Sequence, residues 1–188
     1  YIHTFAGVTF NGAARQGAGV KNNDGASSGA STGAWDFALT TDGSMMGVDG
    51  LAIGAGYGEA ETGQQSSSAP GGDDVHMTAF ANYSIGPVTF GVQVSDIEKG
   101  GAAAVSQSTE AWGLAFNVNE NLSISYGERD VMFHNPSATD VEENGEGIAI
   151  AYTMGSMKIA GNKNEVTDND GTTGSKDEMT EIAVSFAF

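Results

Sequence analysis

Glu181-Ile182-Ala183-Val184-Ser185-Phe186-Ala187-Phe188 closes the chain, and its reading decides the fold. Taken with period two, Ile182, Val184, Phe186 and Phe188 share one face, and Glu181, Ala183, Ser185 and Ala187 the other. Such alternation belongs to a strand whose two faces meet different surroundings. In a water-soluble sheet the large apolar face packs on a core. In a membrane barrel it points out to lipid, and the small and polar residues face water inside. The eight residues alone do not choose between the two.

The same pattern runs back along the chain. Ile148, Ile150, Tyr152 and Met154 oppose Gly147, Ala149, Ala151 and Thr153. Trp112, Leu114 and Phe116 oppose Ala111, Gly113 and Ala115, and Val88, Phe90, Val92 and Val94 oppose Thr89, Gly91, Gln93 and Ser95. Leu51, Ile53 and Tyr57 oppose a face of Gly and Ala, and Trp35, Phe37 and Leu39 oppose Asp36, Ala38 and Thr40. Phe80 is the one bulky side chain that falls among small neighbours. Eleven strands are predicted, the first a partial one over Tyr1 to Phe5. Turns at Ala6-Gly7, Gly86-Pro87, Asn119-Glu120-Asn121 and Gly155, with a connection from Thr41 to Asp49 around Asp42-Gly43, alternate with polar connections at 17–33, 62–72, 98–107, 134–143 and 167–176. Short turns at one end and long loops at the other are the pattern of an antiparallel up-and-down transmembrane β-barrel. The aromatic residues Tyr83, Phe90, Phe116, Tyr126, Tyr152, Phe186 and Phe188 lie near the predicted strand ends, as interfacial girdles require.

Composition sets outer bounds. The chain has 188 residues with 28 Gly and 3 Pro, which suits one all-β domain with many turns. It has no Cys, so disulfides and thiolate metal sites are excluded. The formal charge of −17 repels nucleic acid and suits solubilising loops or divalent cations. No stretch of 18 apolar residues is present to serve as a transmembrane helix, and barrel strands do not need one. The sequence opens at Tyr1-Ile2-His3 without a Met or a signal-peptide pattern, so the expectation is either that a signal has been removed or that this is not the true start.

With these residues in view the chain resembles the C-terminal portion of a Gram-negative general porin, of the Rhodobacter-like, alphaproteobacterial kind. The resemblance rests on the terminal Phe188 with alternating Phe186, Val184 and Ile182, on the Tyr152-Thr153-Met154-Gly155-Ser156-Met157 hairpin, and on Gly/Ala-rich strands joined by acidic loops. It implies a sixteen-stranded, trimeric, water-filled channel of the bacterial outer membrane with a loop folded into the pore. It implies contact with membrane lipid and lipopolysaccharide, passage of small hydrophilic solutes, and no enzymatic activity. Phe186 and Phe188 would then form the signal read by the outer-membrane assembly machinery. Residues 1–188 are expected to be a single porin barrel domain lacking about five N-terminal strands. Two alternatives stay open at this point. One is a small closed outer-membrane barrel of ten strands, enzymatic or structural, with Tyr1 to Gly7 as a lead-in. The other is a soluble β-rich adhesin.

Catalytic patterns are missing. His3, His76 and His134 fit no H-E-x-x-H arrangement, and no G-x-S-x-G elbow occurs. The residues expected to line a pore are Arg15, Asp36, His76, Gln93, Arg129, Lys158 and Glu181, all on the small-residue side of their strands. Rings of charge at one level of a channel set ion preference. Arg15, Arg129 and Glu181 each lie seven residues from the turn-side end of a strand, roughly 16 Å up a tilted wall. Basic wall residues facing acidic loop residues are what the resemblance implies, with Arg15 and Arg129 in that role. No resident cofactor is expected. Asp168, Asp170, Asp177 and Glu178 fall close together in sequence and are candidates for a weak divalent cation such as calcium, and Asp140, Glu142, Glu143 and Glu146 form a second acidic group.

Overall fold

The computed structural model describes residues 1–15, 33–61, 72–101 and 103–187. Phe188 and most of the 17–33 and 62–72 connections lie outside the described residues. Eleven strands follow one another: β1 Ile2–Phe5, β2 Val8–Arg15, β3 Ala34–Thr41, β4 Leu51–Glu61, β5 Asp73–Ile85, β6 Val88–Glu98, β7 Ser106–Asn117, β8 Leu122–His134, β9 Val141–Met154, β10 Met157–Thr167 and β11 Lys176–Phe186. They form one sheet in strict chain order, each strand antiparallel to its sequence neighbours. The fold is therefore an all-β up-and-down meander, as the alternation predicts. Among the described residues no helix is long and apolar enough to cross a membrane, which says nothing of crossing by strands.

Turn chemistry fixes the register. Ala6 and Gly7 both take positive φ, 50° and 81°, the geometry that matches the right-handed twist of the strands it joins. Gly86 has φ 57° ahead of Pro87, whose ring holds φ negative, and Gly155 repeats the device with φ 60°. These two-residue turns set Phe5 against Val8, Ile85 against Val88 and Met154 against Met157. A slip of one residue at any of them would throw every side chain of the strand onto the wrong face.

No apolar core lies within the sheet. Ile182 is 76% exposed and Ile148 58%. Among the described residues only Val131, Glu143 and two glycines are buried. A continuous exposed apolar face of this kind needs lipid or another protein to cover it. Every central strand is paired along both edges, which satisfies the backbone polar groups that a bilayer cannot.

The structure corrects the sequence reading at two places. The strands run further than predicted at the long-loop end: β8, expected to end at Arg129, continues to His134, and β9 begins at Val141 rather than Gly147. The added residues mix polar and apolar side chains on both faces, so the sheet goes on where the hydrophobic alternation stops. The closed ten-stranded barrel also falls. β2 pairs with β1 on one edge and β3 on the other, which leaves no edge free for β11 to close a ring from β2.

Candidate functional site

Cross-strand partners share a face, so the register can be followed across the sheet. Ile182 stands against Gly161, which stands against Ile150, Ile124, Phe116 and Val88 in turn. The row ends at Leu51 by way of Ile85 and its neighbour Tyr83. Through this part of the sheet the large apolar residues thus occupy one face, while Phe80 and, at the loop end, Val131 and Phe133 fall on the other. Ser185, Ala183, Ala151, Ala149, Ala115 and Gly113 occupy the other.

All seven sequence-predicted wall residues fall on that small-residue face. Asp36 and His76 flank Gly58 in one row, and Gln93 and Arg129 flank Ala111 in another. Members of each pair are two strands apart, roughly 10 Å. Arg15 stands at the long-loop end of β2, and Lys158 near the turn end of β10. Asn162 donates its amide to Glu181 at 3.2 Å, Asn164 donates to Asn162 at 2.9 Å, and Gln93 donates to Thr78 at 3.3 Å. The face is concave. A hollow of about 730 Å³ runs over β5 to β10, floored by Gly91, Gly113, Gly127, Gly145 and Gly147 and edged by Gln93 and Arg129. Small side chains keep the hollow open, and polar side chains bonded to one another lie along the same face.

Phe80 intrudes on this face. A Cβ added to Gly54, its cross-strand partner, would lie 2.5 Å from the ring edge, so the ring occupies the space that a side chain there would take. That explains how a bulky side chain is accommodated on the small-residue wall.

Arg129 is not a free cation. Its Nη2 donates to Oε1 of Glu143, which is 4% exposed. The other Glu143 oxygen, Oε2, accepts the Asp170 backbone N–H at 2.8 Å. The sequence reading ended a loop at Glu143 and grouped it with Glu142 and Glu146. The structure puts all three on β9, with Glu143 on the concave face and the other two on the apolar-bearing face. A signal for this was present: Val141 and Glu143 continue the parity of Gly147 and Ala149.

On the opposite face the apolar band ends at an aromatic row. Trp35 packs on Tyr57 at 5.5 Å between ring centres, and Trp112 on Tyr126 at 5.7 Å. Their polar tips reach towards the loop end: the Tyr57 hydroxyl donates to Glu59 at 2.6 Å, the Tyr126 hydroxyl to Glu128 at 2.6 Å and Glu146 at 2.9 Å, and Trp112 Nε1 to Glu128 at 3.1 Å. Amphipathic rings behave this way at a membrane–water boundary. Above the row the same face turns acidic, with Glu59, Asp96, Glu110, Glu128, Glu146, Glu165 and Glu178 along the strands. Much of the negative charge therefore sits on the outside of the wall, not in the connections.

The proposed cation ligands do not converge. Asp177 and Glu178 are successive residues of β11 and point to opposite faces. Asp168 accepts the Gly174 N–H and closes its own turn. Among the described residues no group of three or more His, Asp or Glu side chains could hold a metal ion.

Outside the strands, the carboxyl of Asp140 is held below its ordinary pKa by the Asn135 backbone N–H and then by His134, 3.1 Å away. Asp42 is lowered in the same sense by the hydroxyl and backbone N–H of Ser44.

A family of proteins described as Gram-negative porin matches residues 1–188. A comparison with curated protein sequences finds no match. Among solved structures, an anion-selective porin from Comamonas acidovorans superposes with a TM-score of 0.75 at 11% identity, covering 99% of this chain and 57% of that one. OmpT, an outer membrane protein of Vibrio cholerae, superposes in its in-vitro folded form with a TM-score of 0.67 at 10% identity, over 99% and 62% of the two chains. Its outer-membrane-expressed form gives 0.66 at 12% identity, over 99% and 63%. The chain spans about three fifths of the length of these structures.

Proposed function

The chain belongs to the Gram-negative porin family of the bacterial outer membrane, and from that premise we propose that it forms the wall of a water-filled channel for passive diffusion of small hydrophilic solutes and ions. One observation carries the reading. A concave, glycine-floored polar face backs directly onto an apolar face bounded by an aromatic row. A sheet with those two faces separates lipid from water. The transport mechanism is steric sieving with an electrostatic bias, and it involves no bond making. Arg15, Asp36, His76, Gln93, Arg129, Lys158 and Glu181 are the proposed pore-lining residues, with the Arg129 charge offset by Glu143.

The complete protein is proposed to be a sixteen-stranded homotrimer, with residues 1–188 as the later part of a single barrel domain. What supports this is the resemblance to general porins and the coverage of about three fifths of similar chains. The Rhodobacter-like subfamily rests on the Gly/Ala-rich strands and the 152–157 hairpin. Recognition by the assembly machinery rests on Phe186 and Phe188, and contact with lipopolysaccharide on the outer aromatic row. Divalent cations such as calcium are proposed to bind weakly and without a specific site, because the carboxylates are many and those among the described residues do not converge. Calorimetry at millimolar calcium checks this, and one stoichiometric site would contradict it.

The experiment is reconstitution of the full-length protein in planar bilayers and in liposomes. Step-like conductance proportional to bulk salt, and liposome swelling that falls with increasing sugar size, are expected. A silent bilayer with correctly folded protein would remove the proposal.

A further inference from the structure

We infer that Glu143 is a specificity-determining residue of the channel: it cancels the charge of Arg129 and pins the β10–β11 connection inward over the concave face. The inference rests on the channel reading for its selectivity part and on geometry alone for its pinning part.

Both carboxylate oxygens of Glu143 are engaged, one by Arg129 on β8 and one by the backbone N–H of Asp170 in the connection. The connection is a self-bonded unit. Asp168 donates its N–H to the Ser175 carbonyl at 2.7 Å, Ser175 to Thr172 at 3.0 Å, and Thr172 to Asn169 at 3.1 Å. It tilts away from its own hairpin and reaches two strands across the sheet. A Cβ at Gly171 would lie 2.9 Å from Cγ of Phe133, on β8, so the turn rests on that ring. Val131, Phe133 and Glu143 all belong to the concave face. The turn therefore leans over the water-filled side of the wall and carries the carboxylates of Asp168 and Asp170 with it.

The charge consequence has a sign. With Glu143 ionised, the Arg129–Glu143 pair contributes no net charge to the wall, and the leaning turn adds negative charge beside it. Loss of the Glu143 charge leaves Arg129 as an uncompensated cation on the concave face. A site that is partly desolvated feels such a change more than open water does.

The test uses the full-length protein with Glu143→Gln, Glu143→Ala and Arg129→Ala, read in two ways. Reversal potentials of single channels under a KCl gradient report selectivity. The side-chain amide oxygen introduced by E143Q can still accept the Asp170 N–H, so this variant changes charge and leaves the turn pinned. It is expected to move the K⁺/Cl⁻ permeability ratio towards chloride by roughly two-fold, and R129A to move it towards potassium by a similar factor. A purely structural role would not give opposite signs. Hydrogen exchange at residues 168–175 in detergent reports pinning. E143A is expected to speed exchange of the Asp170 amide by about ten-fold or more, and E143Q much less. Conducting channels whose reversal potential is the same in wild type, E143Q and R129A would overturn the selectivity role. Unchanged exchange in E143A would overturn the pinning. A wild-type protein that does not conduct would overturn the channel reading and the selectivity role together, while the exchange result still decides the pinning.

Discussion

Val131 and Glu143 face each other across β8 and β9 as direct cross-strand partners, and they are the two buried side chains larger than glycine among the described residues. The other large apolar side chains there are all at least partly exposed. Among the described residues the buried side chains thus sit where the β10–β11 turn folds over the concave wall, not where a soluble protein would keep a core. Val131→Ala should loosen that turn without unfolding the barrel. Removing two methyl groups beneath a covered site costs about 1–2 kcal/mol at most, since the site can collapse onto water. Chemical denaturation in lipid vesicles should show a small shift, and hydrogen exchange should rise at 168–175 first. An unfolding midpoint that falls as far as for a lipid-face charge would contradict this.

The lipid face makes the opposite prediction. Ile150 is 52% exposed in the middle of the apolar band, between Ile148 and Tyr152. An Arg there should destabilise the folded protein by ~2–4 kcal/mol if the site is near the bilayer midplane. Ala149→Ser, one residue away on the concave face, should stay within about 0.5 kcal/mol because that face is already hydrated. Reversible urea unfolding from vesicles measures both. Equal costs at the two neighbours would mean that the faces do not separate lipid from water.

Phe80 gives a conductance prediction. Its ring lies over Gly54 among the small and polar residues of the mid-sheet wall, away from Val131 and Phe133 at the loop end. Phe80→Ala removes bulk from the water-filled side and buries nothing in exchange. Single-channel conductance should rise by roughly 10–30%, with little change in ion preference because no charge changes. Conductance unchanged within error would place the ring away from the ion path.

The connection between β8 and β9 should respond to acid. Asp140 accepts the Asn135 backbone N–H and pairs with His134, and the first of these dominates in holding its pKa down. A depressed carboxyl contributes stability that is present above its unfolded pKa of about 3.9 and lost as pH falls through the lower folded value. The connection should therefore hold through neutral pH and open below about pH 4. Exchange at Asn135, corrected for the intrinsic rate, should rise there in wild type. In Asp140→Asn it should be raised at every pH and show no such step.

The fold was legible because lipid and water impose opposite demands on alternate residues. From Val88 to Val94 or Ile148 to Met154 the alternation is unbroken, and the turns at Gly7, Gly86 and Gly155 located its phase. The signal faded where β8 and β9 rise above the aromatic row. There Glu128, Arg129 and Asp130 are polar on both sides, and alternation carries no information although pairing continues. For the same reason parity was enough to gather the wall residues onto one face, yet the Arg129–Glu143 pair was not foreseen. Parity puts both on that face, but only the register of β8 on β9 makes them diagonal neighbours.

The placement of the acidic residues decides how selectivity should depend on salt. The chain carries 24 Asp and Glu against 7 Lys and Arg, which by itself suggests a strongly cation-attracting mouth. Yet Glu110, Glu128 and Glu146 stand on the same side as the aromatic row, facing away from the concave wall. A charge on the far side of the wall acts on a permeating ion from a distance of about 10 Å or more, comparable with the Debye length at 0.1 M salt. Glu181 faces the hollow side directly, where its carboxylate accepts the Asn162 amide and meets no cation in that bond. Glu181→Gln should therefore weaken cation preference both at about 0.01 M and at about 0.1 M salt. Glu110→Gln, Glu128→Gln and Glu146→Gln together remove three charges and should matter only at the lower concentration. Reversal potentials of the complete protein at the two ionic strengths separate the cases. If the triple variant outweighs E181Q at about 0.1 M, the acidic band faces the ion path, and the assignment of the two faces near the loop end is wrong.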